Sequence, residues 1–101
     1  MPVHSSASED GRELRIHVDG RFDFGAHRDF RSCYEGTSEA PQRYIVDLST
    51  ATYLDSSALG MLLLLRDHGG GETAQVEIVN CNEEVRKVLR ISNFDKLFSI
   101  A

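Results

Sequence analysis

Hydrophobic and polar residues alternate in the segment ELRIHV, where Leu14, Ile16 and Val18 share one face. A period of two predicts a half-buried β-strand. Residues 3–7 alternate more weakly and predict a short edge strand. The Asp10-Gly11 pair between these segments predicts a hairpin turn, because it is a favoured turn sequence.

Two later segments, YIVDLS and AQVEIVN, are compact runs rich in β-branched residues. They predict two further strands, the first of them covered on more than one side. Gly20 follows the second strand of the hairpin and is expected to end it or to form a bulge. The final segment, FDKLFSIA, predicts a short helical turn or an edge strand packed on the domain.

Three segments have a helical period instead. In RFDFGAHRDFRSCYEG the apolar face consists of Ala26, Phe30, Cys33 and Tyr34. We expect an N-cap region at Asp23 or Gly25 and a C-cap at Gly36. The segment TSEAPQR that follows is expected to be a loop.

The segment SALGMLLLLRDH predicts a second helix, which the three glycines at 69–71 should end. Its expected core residues are Leu59, Leu62, Leu63 and Leu65. NCNEEVRKVLRISN predicts a third helix, capped by Asn80 or Asn82 and packed through Val85, Val88 and Leu89. Its acidic first turn and basic later turns complement the helix dipole.

Strands that alternate with helices indicate parallel strands joined by right-handed crossovers. We therefore predict an α/β fold, with a mixed sheet of four to five strands, an N-terminal hairpin and helices packed on the sheet. The 101 residues fit a single domain, residues 1–101.

The charge and composition of the chain exclude several classes of function. The net charge of −5 disfavours binding to nucleic acid or to anionic membranes and leaves a basic protein partner or simple solubility as explanations. Cys33 and Cys81 lie far apart, no Cys/His cluster has metal-ligand spacing, and we expect no metal and no cofactor. The N-terminal residues do not resemble a signal peptide, and LGMLLLL is too short to cross a bilayer. We expect a cytoplasmic protein with reduced thiols and no membrane insertion.

The sequence LDSSALG joins the central strand to the second helix and holds the strongest candidate site. In α/β folds, function gathers where strands end and helices begin. A serine or aspartate there is most simply a helix cap. A catalytic serine would need a base, and among the histidines only His27 is expected to approach Ser56. Because the GxSxG motif is also absent, we predict that the protein is not an enzyme.

The segment YIVDLSTATYLDSSALGMLLLLRD resembles the central signature of STAS domains, in particular that of bacterial anti-sigma factor antagonists. LRIHVDGRFDFGA and VEIVNCNEEVRKVLRISNFDKLFSI resemble the flanking parts of the family, so that the similarity covers most of the chain. Two positions depart from it. Ala58 stands where many members have glycine, and Arg21 stands where an acidic residue is common.

The resemblance implies a phosphorylation switch at Ser56, with Ser57 as the less favoured acceptor. A serine kinase that is often also the anti-sigma factor modifies this residue, and a separate phosphatase restores it. The unmodified form binds the anti-sigma partner. The alternative is a STAS adaptor or scaffold subunit, in a transporter or sensory complex, that binds its partner constitutively.

Several residues near Ser56 are candidate partner contacts. They are Asp23, Phe24, Leu54, Asp55, Ser57, Ala58 and Met61. Core packing is the alternative role for Leu54 and Met61, and helix capping is the alternative for Asp23. Asp47, at the end of the central strand, is expected to be a structural polar group.

Overall fold

The computed structural model describes residues 3–35 and 41–101. Its strands and α-helices follow in chain order as β1 (Val3–Ala7), β2 (Glu13–Val18), β3 (Gly20–Phe22), α1 (His27–Glu35), β4 (Arg43–Asp47), β5 (Ala51–Leu54), α2 (Ser56–His68), β6 (Val76–Val79), α3 (Glu83–Ile91) and β7 (Ser99–Ile100). Short 3₁₀ turns occupy Phe24–Ala26, Gly71–Thr73 and Phe94–Lys96.

Within these ranges the main sheet has five strands in the order β1-β2-β4-β6-β7. β1 and β2 pair antiparallel as the predicted N-terminal hairpin, whereas β2–β4, β4–β6 and β6–β7 are parallel. The mixed α/β fold is therefore confirmed. Both structures predicted for the C-terminal segment occur, because a 3₁₀ turn at Phe94–Lys96 precedes the edge strand β7.

The described chain also contains a two-stranded parallel sheet of β3 and β5, which the sequence pattern did not predict. Thr50 and Asp19 connect the two strands where they begin, through a side-chain hydrogen bond. Gly20 has a φ of +69° and the β3–β5 register shifts beside it, so that the expected interruption at Gly20 is confirmed. A segment of three or four residues is too short for its alternation to stand out from a loop.

The core lies between the main sheet and the helices. Ile16, Val18 and Val46 from the sheet and Phe22 from β3 are fully buried, as is Leu62 of α2. Phe22 and Phe30 pack with ring centroids 5.2 Å apart. The prediction that Leu63 belongs to the core is wrong, because its side chain is 37 % exposed. Leu59 is only partly buried.

Helix caps follow the predicted chemistry at two places. Asn82 caps α3 through a hydrogen bond that its Oδ1 accepts from the Val85 N–H at 2.8 Å. Asp23 caps the 3₁₀ turn that leads into α1, because its Oδ1 accepts from the Gly25 N–H at 3.0 Å. The predicted C-cap at Gly36 lies outside the described residues, and so do residues 37–40 of the predicted loop.

Candidate functional site

Helix α2 begins at Ser56 because Asp55 caps it. Asp55 has an extended backbone, with φ −117° and ψ −174°, and its Oδ1 accepts from the Ala58 N–H at 3.1 Å. A carboxylate cap of this kind stabilises a helix by about 1 kcal/mol. The first residue of the DSS triplet therefore supplies the cap, and neither serine is needed for it.

The two serines differ in what their hydroxyls contact. Ser57 Oγ donates to Asp55 Oδ1 at 2.6 Å. Ser56 is exposed, and its side chain makes no hydrogen bond to another described residue. A free hydroxyl on the first residue of a helix is open to a modifying enzyme, whereas the Ser57 hydroxyl would first have to leave Asp55.

The Asp55 carboxylate is held in its charged form. The hydrogen bond from the Ser57 hydroxyl, followed by bonds from the backbone N–H groups of Ala58 and Ser57, lowers the pKa of Asp55 below its ordinary value. Partial burial acts in the opposite direction but is outweighed. At neutral pH a fixed negative charge therefore stands next to Ser56.

Strands β3 and β5 bring the segment that follows β3 to the same end of the fold as Ser56. They are parallel, with Phe22 opposite Leu54, so that Asp23 and Asp55 both follow the ends of paired strands. Phe24 comes next and is 72 % exposed, with its ring stacked on the His27 ring at a centroid distance of 5.4 Å. Phe24 is the most exposed large apolar side chain at this end of the described structure.

Three candidate contact residues are buried instead. Leu54, Ala58 and Met61 are 6 %, 0 % and 3 % exposed, and all three belong to the core. Their burial agrees with the core-packing role that the sequence left open for Leu54 and Met61. Ala58 lies where a helix turn faces the core and no space remains for a partner.

The outer face of α2 carries apolar residues that the sequence pattern did not assign to the site. Leu63 and Leu64 are 37 % and 49 % exposed. They lie seven and eight positions after Ser56, and Gly60 lies four positions after it, so all share one helix face. This spacing from Ser56 was visible in the sequence, but the long apolar run hid it. We call Gly60, Leu63 and Leu64 the outer stripe of α2.

Asp47 is a buried structural acid, as expected from its position. Burial alone would raise its pKa, but hydrogen bonds from Ser49 and from the Asn80 side chain, together with the nearby His17, lower the pKa overall. The Ser49 N–H lies 3.0 Å from Asp47 Oδ1, and Arg15 Nη2 and His17 Nδ1 lie 3.6 and 3.7 Å from Oδ2. These groups satisfy the carboxylate within the sheet.

Other chemistry is sparse in the part of the chain that the structure describes. No group of three or more His, Cys, Asp or Glu side chains in residues 3–35 and 41–101 is arranged to hold a metal ion. Cys33 and Cys81 are free thiols, and partial burial raises the pKa of each. None of the described helices is long and apolar enough to cross a membrane.

Comparison with known proteins identifies the family. The family model described as "Mlab, STAS domain" matches residues 5–99. A STAS-domain-containing protein of Pseudomonas aeruginosa (strain UCBPP-PA14) is 62 % identical over 101 residues, which are 100 % of both chains. The chain belongs to the STAS domain family. Members of this family are regulatory and binding domains.

Solved structures share the fold. SpoIIAA, an anti-sigma factor antagonist in its unphosphorylated form, superposes with a TM-score of 0.71 and 17 % identity, covering 98 % of this chain and 86 % of that one. Phosphorylated Bacillus SpoIIAA gives 0.70 and 19 %, covering 97 % and 91 %. A sulfate transporter family protein from Wolinella succinogenes gives 0.75 and 11 %, covering 93 % and 80 %. At these identities the likeness concerns the fold alone.

Proposed function

We propose that this STAS domain is a partner-switching regulator, an anti-sigma factor antagonist that binds an anti-sigma factor with serine kinase activity. The observation that carries the proposal is the exposed hydroxyl of Ser56, which has no hydrogen-bond partner among the described residues, beside a Ser57 hydroxyl that is bonded to Asp55. In this proposal the unphosphorylated form binds, phosphorylation of Ser56 releases the partner, and a serine phosphatase restores binding. The SpoIIAA structures, named for their unphosphorylated and phosphorylated forms, support this assignment.

The physics of the site favours control of binding over control of folding. A phosphoserine carries about −1.5 to −2 charge at pH 7. On the free protein that charge is solvated at an exposed helix end, where the helix dipole attracts it and Asp55 repels it. Under a partner that charge would have to lose much of its hydration, which costs several kcal/mol unless the partner compensates for it. A loss of about 3 kcal/mol already weakens binding more than a hundredfold.

The proposed contact surface consists of Ser56, Phe24 and the outer stripe of α2. Its apolar side chains are exposed and face away from the core, whereas Leu54, Ala58 and Met61 support it from below. Asp23 and Asp55 contribute charged edges beside Ser56. Because such a kinase would use ATP, we expect it and this protein to act together in the cytoplasm.

The test begins with the partner captured from the native cell on unmodified protein and identified by mass spectrometry. Binding of the purified partner is then measured with wild type, Ser56→Ala, Ser56→Asp and Ser57→Asp. We expect Ser56→Ala to bind like wild type and Ser56→Asp to bind at least tenfold more weakly. Equal affinities for Ser56→Asp and wild type would refute the switch.

A transporter or scaffold subunit is the second candidate, favoured by the sulfate transporter family protein among the similar structures. Such a subunit would bind constitutively, and Ser56 would only begin a helix. A phosphate-affinity gel separates the two candidates. With the captured partner and ATP, a shifted band that disappears in Ser56→Ala supports the switch, and an unshifted band in every variant supports the subunit.

A further inference from the structure

Arg21 is the cationic side chain that the two-stranded sheet holds beside the Ser56 segment. It lies on β3 opposite Tyr53 of β5, and its Cζ lies 4.0 Å from the centroid of the Tyr53 ring. Its Nε donates to Asp23 Oδ2 at 3.3 Å. The Arg21 side chain is 65 % exposed, so solvent reaches it although two partners hold it.

The guanidinium is already directed toward the end of the sheet where Ser56 lies. Asp23, the residue that it contacts, follows the end of β3, and Ser56 follows the end of the parallel strand β5. Ser56 is three residues beyond Tyr53, which is roughly 10 Å of extended chain, and neighbouring strands are about 4.8 Å apart. A long arginine side chain and a phosphoserine side chain are together long enough to cover a separation of about that size.

A phosphate on Ser56 would need such a cation. Asp55 is the next residue and Asp23 lies at the same end of the sheet, so that a dianion there would face two carboxylates. Arg21 pairs with Asp23 through Nε and has no second acidic partner within the described ranges, and its two terminal nitrogens carry further N–H donors. Those nitrogens can donate to phosphate oxygens, and the planar guanidinium fits phosphate as a bidentate donor.

We propose that Arg21 is the intramolecular counterion of phosphorylated Ser56. This inference rests on the proposed phosphorylation of Ser56 and adds to it a receiving group within the same chain. In the unmodified protein the Arg21 charge is exposed and available to a carboxylate on the partner. In the phosphorylated protein the same charge is bound to the phosphate, so that modification neutralises a cation beside the contact surface while it adds an anion to that surface.

The experiment uses the full chain with phosphoserine incorporated at position 56 by genetic code expansion, so that neither kinase nor partner is required. Phosphorus NMR follows the titration of the phosphate from monoanion to dianion. A cation close to the phosphate favours the dianion, and we expect the midpoint in wild type to be roughly half a pH unit lower than in Arg21→Gln. In wild type the Arg21 Nε–H signal should also shift on phosphorylation.

Arg66→Gln is the matched control, because it removes an arginine ten positions along α2, roughly 15 Å from Ser56. Its midpoint should equal that of wild type. Equal midpoints in wild type and Arg21→Gln would overturn the inference. If Arg21→Gln does not fold, Arg21→Lys retains the charge without the planar fork, and the inference then requires a midpoint above that of wild type.

The experiments distinguish a failure of the counterion role from a failure of the proposed switch. If phosphorylation abolishes partner binding equally in wild type and Arg21→Gln, and the midpoints agree, the switch stands and the counterion role falls. If the midpoints differ but no partner responds to Ser56, the counterion role stands and the switch falls.

Discussion

At the scale of single residues, the three side chains of the DSS triplet have different roles. Asp55 caps α2, Ser57 holds the capping carboxylate, and Ser56 is left exposed. Sequence alone left the cap shared among all three. The division was decided by the extended backbone of Asp55, which aims its side chain back at the Ala58 N–H.

Removing the cap should destabilise the fold, whereas removing the free hydroxyl should not. Asp55→Ala is expected to lower the free energy of unfolding by about 1 kcal/mol, because the Ala58 N–H loses its acceptor. Ser56→Ala should change it by less than about 0.5 kcal/mol. Urea denaturation followed by circular dichroism measures both, and an equal loss in the two variants would contradict the assignment of the cap.

Asp47 should make stability depend on pH in the acid range. Its pKa is lower in the folded protein than its ordinary value of 3.8, so the folded state favours the charged form. That contribution is present above the ordinary value and is lost as pH falls through the lower folded pKa. Between pH 5 and roughly pH 2, wild type should lose more unfolding free energy than Asp47→Asn. Parallel pH profiles for the two proteins would speak against this role.

At the scale of elements, the strong periodic segments were predicted and the short paired ones were not. The hairpin, the parallel central strands and all three α-helices follow from local patterns of β-branched and apolar residues. β3 and β5 do not, because a strand of three or four residues exists only through its partner. The register that sets Phe22 opposite Leu54, and with it the place of Asp23 beside Ser56, is a nonlocal choice.

Asn82 connects helix α3 to strand β5, and substitutions at this position test both contacts. Its Oδ1 caps α3, and its Nδ2 donates to the Ala51 carbonyl of β5 at 3.1 Å. Asn82→Ala should cost about 1–3 kcal/mol, since it removes both contacts. Asn82→Asp retains the acceptor and loses only the donor, so it should cost less in chemical denaturation. Equal losses would show that the cap contributes nothing.

The two faces of α2 should respond in opposite ways to substitution. Leu62 is fully buried, and Leu62→Ala should cost about 2–5 kcal/mol of unfolding free energy. Leu64 is 49 % exposed, and Leu64→Ser should leave stability within about 0.5 kcal/mol while weakening binding of the captured partner. Calorimetric binding and urea denaturation on the same samples measure both quantities. Unchanged binding of Leu64→Ser would remove the outer stripe from the contact surface.

At the scale of the whole molecule, we expect the fold to keep its structure when phosphorylation changes the charge of the contact surface. The core lies beneath α2, and the Ser56 side chain has no hydrogen bond to it among the residues described. The interactions that a phosphate gains or loses lie at the surface, where solvent screens them. A switch of this design needs no rearrangement of the sheet.

Phosphorylation should therefore leave global stability nearly unchanged. With phosphoserine at position 56, the free energy of unfolding should differ from that of wild type by less than about 1 kcal/mol, because the opposing surface effects are each of that size. Scanning calorimetry at two salt concentrations checks this. A loss of several kcal/mol would mean that modification acts by unfolding the domain.

The sequence by itself determined the class of fold, the positions of its regular elements and the DSS triplet as the place to look for function. These follow from local periodicity and from turn and cap chemistry, which involve residues close in the chain. Only the tertiary structure decided which hydroxyl is free, that Leu54, Ala58 and Met61 face the core, that Leu63 does not, and that Arg21 lies beside Tyr53. Those outcomes depend on strand pairing and on the direction of each helix face, which are set by contacts between distant parts of the chain.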